Sequence, residues 1–182
     1  MRCFISIELE PSIKDKINDF IQQNNLNKYL SGIRWVKPHN LHITLAFLGE
    51  ISIEDISSVK NMLYIISSKH LSFPIELSGV GFFPNFKNPK VFWIGIKEQP
   101  QLFTLKKLID NGLDNINIHY DNKPFSPHLT IGRIKTPLKI KPEIGEALVF
   151  EASFLVTEIH LMKSELLSGG PVYTDLYHVK LC

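Results

Sequence analysis

Two stretches that each place a histidine two residues before a threonine decide the fold: Leu41-His42-Ile43-Thr44-Leu45-Ala46-Phe47 and His128-Leu129-Thr130-Ile131. Polar and apolar residues alternate in both, which is typical of a β-strand with one buried face. Side chains two residues apart on a strand share a face, so each strand presents an imidazole beside a hydroxyl. In a chain of this composition, chance alone gives roughly 0.05 copies of the pattern His-apolar-Thr-apolar. Two copies therefore indicate that both motifs serve the same function.

Similar elements surround the two motifs, which lie about 86 residues apart. The segment 4–7 reads as a strand before a helix in the first half, and 93–96 does so in the second. Each motif strand is followed by further chain, a strand, a turn-rich loop and another strand. This repeated order predicts an internally duplicated α+β architecture.

Three amphipathic helices are predicted from apolar residues at helical spacing. Ser52 and Asp55 predict a capping box at the start of the second helix. The apolar faces comprise Ile13, Ile17, Phe20 and Ile21; Ile56, Val59, Leu63 and Ile66; and Leu102, Leu105, Leu108 and Ile109. Further strands are predicted at 33–36, 71–80, 90–96, 154–162 and 172–180, and one or two helical turns around 141–149.

The composition of the chain limits the classes of protein to which it could belong. The 182 residues are 44% hydrophobic and 21% charged, as in ordinary globular domains. A net charge of +2 does not fit a protein that grips long duplexes through many phosphates. No apolar run reaches the roughly 18 residues of a membrane span, and Glu8 and Glu10 argue against a signal peptide, so we expect a cytoplasmic monomer.

The two cysteines, Cys3 and Cys182, do not stand at a spacing that is typical of metal ligands. We expect both to be incidental free thiols, and a disulfide between the termini is the alternative.

The paired motifs suit phosphodiester chemistry. Opening a cyclic phosphate with water needs a base for the water and an acid for the leaving oxygen. Histidine serves in either state near neutral pH because its ordinary pKa is about 6.5. The hydroxyls of Thr44 and Thr130 would donate hydrogen bonds to the phosphate oxygens, where charge builds in the transition state. This scheme requires no metal.

The chain resembles the 2H phosphoesterases, specifically the RNA 2',3'-cyclic phosphodiesterases, also called 2'-5' RNA ligase-like or LigT-like proteins. The resemblance covers nearly the whole chain. It rests on blocks in a fixed order: 1–10 (MRCFISIELE), 34–36 (RWV), 41–50 (LHITLAFLGE), 79–84 (GVGFFP), 126–130 (SPHLT), 161–164 (LMKS) and 169–173 (GGPVY).

The resemblance implies a bilobal LigT-like fold in which antiparallel sheets line a central cleft, with helices outside. Residues 1–182 would form a single domain of two pseudo-symmetric lobes. The resemblance also implies hydrolysis of a 2',3'-cyclic phosphate to a 2'-phosphate without a cofactor, with His42 as proton donor and His128 as proton acceptor. The residue types alone leave these two roles open.

Other candidate site residues have competing interpretations. Arg133 matches a phosphate-binding arginine of the family, although strict alternation turns it away from His128 unless Gly132 forms a bulge; a surface ion pair is the alternative. Relatives often carry Lys or Arg at the position of Ala46, a residue that would share the strand face of His42.

Four aromatic residues would either stack against a nucleobase or pack in the core: Trp35, Phe47, Phe125 and Tyr173. Lys87 and Lys90 would guide RNA or lie in a solvated loop. The histidines outside the motifs (His39, His70, His119, His160 and His178) are interpreted as structural.

The expected partner is RNA with a 2',3'-cyclic phosphate end, or a small cyclic nucleotide. Two rival functions remain: the reverse reaction, which joins such an end to a 5' hydroxyl through a 2'-5' link, and non-catalytic binding of RNA or nucleotides. Intact motifs in both halves argue against binding alone, since binding needs no pair of proton-transfer groups.

Overall fold

The computed structural model describes residues 1–135, 140 and 147–182. In chain order, its elements are β1 (Arg2–Glu8), α1 (Pro11–Gln23), α2 (Leu26–Tyr29), β2 (Ile33–Trp35), a 3-10 turn (Pro38–Asn40), β3 (His42–Glu50), α3 (Ile53–Ser67), β4 (Phe73–Phe83), β5 (Val91–Ile96), α4 (Pro100–Asn115), β6 (His128–Ile134), β7 (Glu151–Val156), β8 (Glu158–Leu167) and β9 (Gly170–Lys180). The helical turns predicted around 141–149 fall largely outside the described residues.

The strands form one antiparallel sheet in the order β7-β4-β5-β6-β3-β1-β8-β9, and β2 pairs with β6. The two motif strands, β3 and β6, are neighbours at its centre, where Ile43 lies opposite Leu129. The predicted α+β architecture is confirmed, and the sheets expected of the two halves join through this pair into a continuous sheet.

The two halves of the chain exchange strands across this centre. β4 follows the first motif strand in sequence, yet it pairs with β5 and β7 on the side of the second motif. β8 and β9 follow the second motif strand, yet β8 pairs with β1 on the side of the first. The prediction of a single strand over 154–162 is therefore wrong: the chain breaks at Thr157, where it leaves β7 for the opposite part of the sheet.

Helical periodicity explains which helix faces are buried. The four predicted apolar residues of α1 are buried, as are those of α3, whose first turn carries the predicted capping box. In α4, Leu102, Leu105 and Ile109 are buried, but Leu108 is 38% exposed, contrary to prediction. Leu108 falls at the edge of the buried stripe, which the two leucines and the isoleucine already fill. Each fully buried side chain of this kind contributes about 1.5–3 kcal/mol of transfer free energy.

The structure also bears on the two cysteines and on whether a helix could cross a membrane. Cys3 is buried and Cys182 exposed, and both thiols are free. Among the described residues, no helix is both long and apolar enough to cross a membrane.

Candidate active site

Four motif side chains lie on one face of the central strand pair. Ile43 and Leu129 are both buried and point to the opposite face. Their neighbours therefore project together: antiparallel pairing sets His42 across from Thr130 and Thr44 across from His128. The two histidines occupy diagonal positions, for which the residues are separated by about 7–8 Å and their Cβ atoms by somewhat less. A phosphate group fits between imidazoles at that separation.

Both imidazoles are held in the same way. His42 Nδ1 lies 2.8 Å from the carbonyl oxygen of Asn40, and His128 Nδ1 lies 2.7 Å from that of Ser126. A carbonyl oxygen only accepts, so each Nδ1 carries its proton and donates it. Each Nε2 is thereby left as the nitrogen that exchanges protons. His42 Nε2 lies 3.1 Å from the Thr44 hydroxyl, which donates to it when the ring is neutral.

Burial keeps His42 uncharged. Desolvation lowers its pKa from 6.5 to about 4; the hydrogen bond to Asn40 opposes the change, and the charges of Arg133 and Lys14 add to it. The ring packs against Phe4, with centroids 4.8 Å apart, and against Tyr173 at 5.3 Å. His128 meets the ring of Phe83 edge-on at 5.0 Å. In the ligand-free protein at pH 7, His42 is therefore a neutral proton acceptor.

A β-bulge follows each motif at the same place. On β3, Ser6 pairs with Thr44 and Ile5 with Ala46, so Leu45 is extra. On β6, Trp93 pairs with Thr130 and Phe92 with Gly132, so Ile131 is extra. The extra residue reverses the alternation beyond it, which turns Phe47 and Arg133 onto the face of the histidines.

These bulges determine on which face of the sheet Arg133 and Ala46 lie. The bulge that was the alternative to strict alternation at Gly132 is present, and Arg133 is exposed on the site face. Its charge lowers the pKa of His42 and partly offsets the rise that burial causes in the pKa of Tyr173. Placing Ala46 on that face was wrong: it is 3% exposed and belongs to the core. Phe47, five residues after His42, is the counterpart of Arg133, five residues after His128. Within the described part of the chain, Arg133 forms no ion pair.

The aromatic candidates fall into two groups. Tyr173 stands beside His42 and meets Phe4 edge-on at 5.0 Å; burial raises the pKa of its phenol, which keeps it a hydrogen-bond donor. Phe47 is 50% exposed, with its ring 6.2 Å from that of Phe4. Trp35 and Phe125 instead pack against the core, as the alternative interpretation expected. Lys87 and Lys90 are exposed in and beside the β4–β5 loop.

Sequence reasoning missed the position of Arg34 on the face that carries the histidines. It lies opposite Arg133 in the β2–β6 pair, so both guanidinium groups rise from the same face. Arg34 was quoted only as part of a family block. Its position depends on β2 pairing with β6, a contact between residues about 100 positions apart that no local pattern predicts.

The described residues also contain a group able to hold a metal ion, although none was expected. Ligand atoms of His160, Asp175 and His178 all lie within 4.8 Å of one another. They lie on β8 and β9, apart from the motif pair, because β1 separates β8 from β3 in the sheet.

Comparisons with known proteins agree with the repeated geometry. The family described as "LigT like Phosphoesterase" matches twice, over residues 7–93 and 94–173. A relative from Archaeoglobus fulgidus named RNA 2',3'-cyclic phosphodiesterase is 34% identical, over 97% of this chain and 98% of the relative. A crystal structure from Thermus thermophilus superposes with a TM-score of 0.85 and 27% identity, covering 100% of this chain and 98% of that one. The structure of E. coli LigT complexed with 3'-AMP gives 0.81 and 26%, covering 99% and 97%.

Proposed function

Because the chain belongs to the LigT-like phosphoesterase family, we propose that it is an RNA 2',3'-cyclic phosphodiesterase, a hydrolase that converts 2',3'-cyclic phosphate ends to 2'-phosphates. The observation that carries this proposal is the diagonal pair of imidazoles on one sheet face, each with Nδ1 tied to a carbonyl and Nε2 left for proton transfer. The relatives named for this reaction support the choice of substrate.

The proposed reaction is a single displacement at phosphorus. The Nε2 of His128 takes a proton from water as the water oxygen bonds to phosphorus. The bond from phosphorus to the 3' oxygen breaks, and the Nε2–H of His42 protonates that oxygen. Thr44 and Thr130 donate hydrogen bonds to the non-bridging oxygens, and Arg133 balances the charge there.

The donor role of His42 requires that substrate binding change its protonation. The imidazole is neutral in the free protein at pH 7 because burial holds its pKa at about 4. A phosphodiester brings a negative charge beside the ring, which favours the imidazolium and raises this pKa. His42 would thus acquire its proton together with the substrate, whereas the opposite assignment requires no change in the protonation of His42 itself.

The exposed residues around the pair suit the end of an RNA strand. Phe47 and Tyr173 offer ring surfaces for the terminal nucleoside, and stacking tolerates any base. If Arg133 faces the cyclic phosphate, Arg34 beside it lies where the preceding phosphodiester of an oligonucleotide passes. E. coli LigT complexed with 3'-AMP supports a nucleotide ligand on this fold.

The direct test supplies a 2',3'-cyclic mononucleotide and an oligonucleotide with that end, and identifies the phosphate isomer by ³¹P NMR. We expect a 2'-phosphate as product. His42→Ala and His128→Ala should each lower turnover by about 10²–10⁴-fold, with circular dichroism spectra unchanged. Undiminished turnover in both folded variants would reject the assignment.

The rival functions are separated by the same materials. Adding an RNA with a 5' hydroxyl tests ligation, because a joined product would appear at the expense of the 2'-phosphate. Tight binding of the cyclic end with no product in either case would identify a binding module.

Four further properties stay predictions. We propose that residues 1–182 act as a single domain of two pseudo-symmetric lobes, which the exchanged strands support, and as a monomer, since both histidines come from one chain. Light scattering at assay concentration tests the second point. We also propose a cytoplasmic location, which fractionation of cells would test, and that turnover persists in the presence of a chelator.

A further inference from the structure

We propose that His160, Asp175 and His178 form a binding site for a single divalent transition-metal ion such as Zn²⁺, separate from the phosphodiester chemistry. The two imidazoles converge on one carboxylate oxygen: His160 Nδ1 lies 3.1 Å and His178 Nδ1 lies 3.0 Å from Asp175 Oδ2. Two histidines and a carboxylate are a common ligand set for zinc.

The spacing of the three ligand atoms suits a tetrahedral ion. With bonds of about 2.0–2.1 Å, neighbouring ligand atoms are separated by roughly 3.3 Å. Two of the three separations, 3.0 and 3.1 Å, are already close to this value. All three lie below 4.8 Å, so small side-chain rotations suffice.

A second feature that favours a bound metal is the environment of Nε2, on the far side of the His160 ring. His160 is 6% exposed. Its Nε2 has no hydrogen-bond partner, although Glu158 Oε1 is 3.3 Å away. With the proton on Nδ1, a bare nitrogen lone pair faces this carboxylate. A metal on Nδ1 moves the proton to Nε2, which then donates to Glu158, the carboxylate–histidine–metal arrangement of protein zinc sites.

The remaining surroundings favour a cation. The second oxygen of Asp175 accepts the backbone N–H of Tyr177 at 3.0 Å, which holds the carboxylate in place. Glu8 is close enough for His160 and Asp175 to influence its pKa, which burial raises. Lys14, 3.8 Å from Glu8, is the positive neighbour. The carboxylates of Asp175 and Glu158 lie on the two sides of the His160 ring, so a bound cation would have negative charge close to it.

The position of the site indicates a structural role. Ser6 pairs with both Thr44 and His160, so His160 lies two strands from the motif, about 10 Å away. An ion there is too far to ligate the reacting phosphate. It would link β9 to β8 through Asp175, which lies two residues after Tyr173, and Tyr173 is the residue that packs against His42.

The test uses the full chain and CoCl₂ or ZnCl₂. We expect one equivalent of Co²⁺ to bind with a visible d–d spectrum of tetrahedral intensity, and Zn²⁺ to displace it and raise the thermal unfolding midpoint. His178→Gln, an exposed position, should abolish the spectrum. Glu158→Gln should weaken affinity by about 10–100-fold, the usual effect of losing a carboxylate behind a ligand histidine.

Two controls make the outcomes decisive. His128→Gln removes one motif imidazole, and His119→Gln removes an exposed one; both should bind Co²⁺ as the parent does. The proposal is overturned if the parent binds no metal, if His178→Gln binds equally well, or if binding disappears only in His128→Gln. The last result would place the ion at the motif histidines. An imidazolium held between Asp175 and Glu158 instead of a metal would give the first outcome.

Discussion

Replacing His42 by glutamine should flatten the dependence of folding stability on acid pH. The imidazole titrates with a pKa of about 4 in the folded protein and near 6.5 when exposed. The unfolded chain therefore binds the proton more tightly, and stability falls as pH drops through 6.5 and levels off below 4. Above pH 6.5 the ring is neutral in both states and the effect vanishes.

The size of the effect follows from the pKa difference. A shift of about 2.5 pKa units corresponds to about 3.4 kcal/mol of unfolding free energy when both states are compared below pH 4. Between pH 7 and pH 5, the same linkage gives a loss of about 2 kcal/mol. That is a substantial part of the 5–15 kcal/mol typical of a domain.

Urea unfolding at pH 7, 6 and 5 measures this loss in the parent and in His42→Gln. We expect the parent to lose about 2 kcal/mol more than the variant over this range. His119→Gln, which removes an exposed imidazole, should follow the parent. Equal losses in the parent and His42→Gln would refute the claim that burial holds the ring neutral.

A titration with inorganic phosphate extends this test to the proposed site. The NMR signal of the His42 ring should show a higher pKa when phosphate occupies the face between the imidazoles, because the anion favours the imidazolium. An unchanged titration at saturating phosphate would remove the support for His42 as the proton donor.

Three other predictions concern the surrounding residues. Gly132→Ala should cost about 1–3 kcal/mol in urea unfolding, since its Cβ would lie 2.6 Å from Ile33 Cγ2; an unchanged midpoint would contradict this packing. Arg133→Gln should raise the pKa of His42, because the guanidinium helps to lower it, and NMR would show no movement if the two groups were far apart. Arg34→Gln should raise KM for a cyclic-ended oligonucleotide by roughly two- to five-fold, as one exposed charge contact is lost; an equal rise for the cyclic mononucleotide would show that Arg34 acts elsewhere.

The strands and helices were predictable because their signals are local. Alternation placed His42 and Thr44 on one face, and helical spacing identified the buried residues of α1 and α3. Alternation alone failed at Ala46, because a bulge depends on how two strands pair and leaves little trace in one strand's sequence. Gly132 was the exception, since a glycine within a strand marks such a place.

Residues that meet only through long-range pairing were beyond such reasoning. Arg34 reaches Arg133 through β2, and His160 reaches Asp175 and His178 through the β8–β9 hairpin. The histidines of this hairpin were interpreted as structural because a lone histidine on a strand is more often structural than catalytic. The pKa of His42 was equally hidden, since it arises from the rings of Phe4 and Tyr173 that bury it.

The exchange of strands between the two halves has a consequence for motion. The two parts of the sheet are joined by backbone hydrogen bonds at β3–β6, and each part contains strands from both halves of the chain. A hinge that moved the histidines apart would have to break the pairing at Ile43 and Leu129 and move β4 or β8 with it. The spacing between the two histidines is thus set by main-chain geometry, and in the proposed reaction the adjustment to different substrates falls to the RNA and to side chains at the rim.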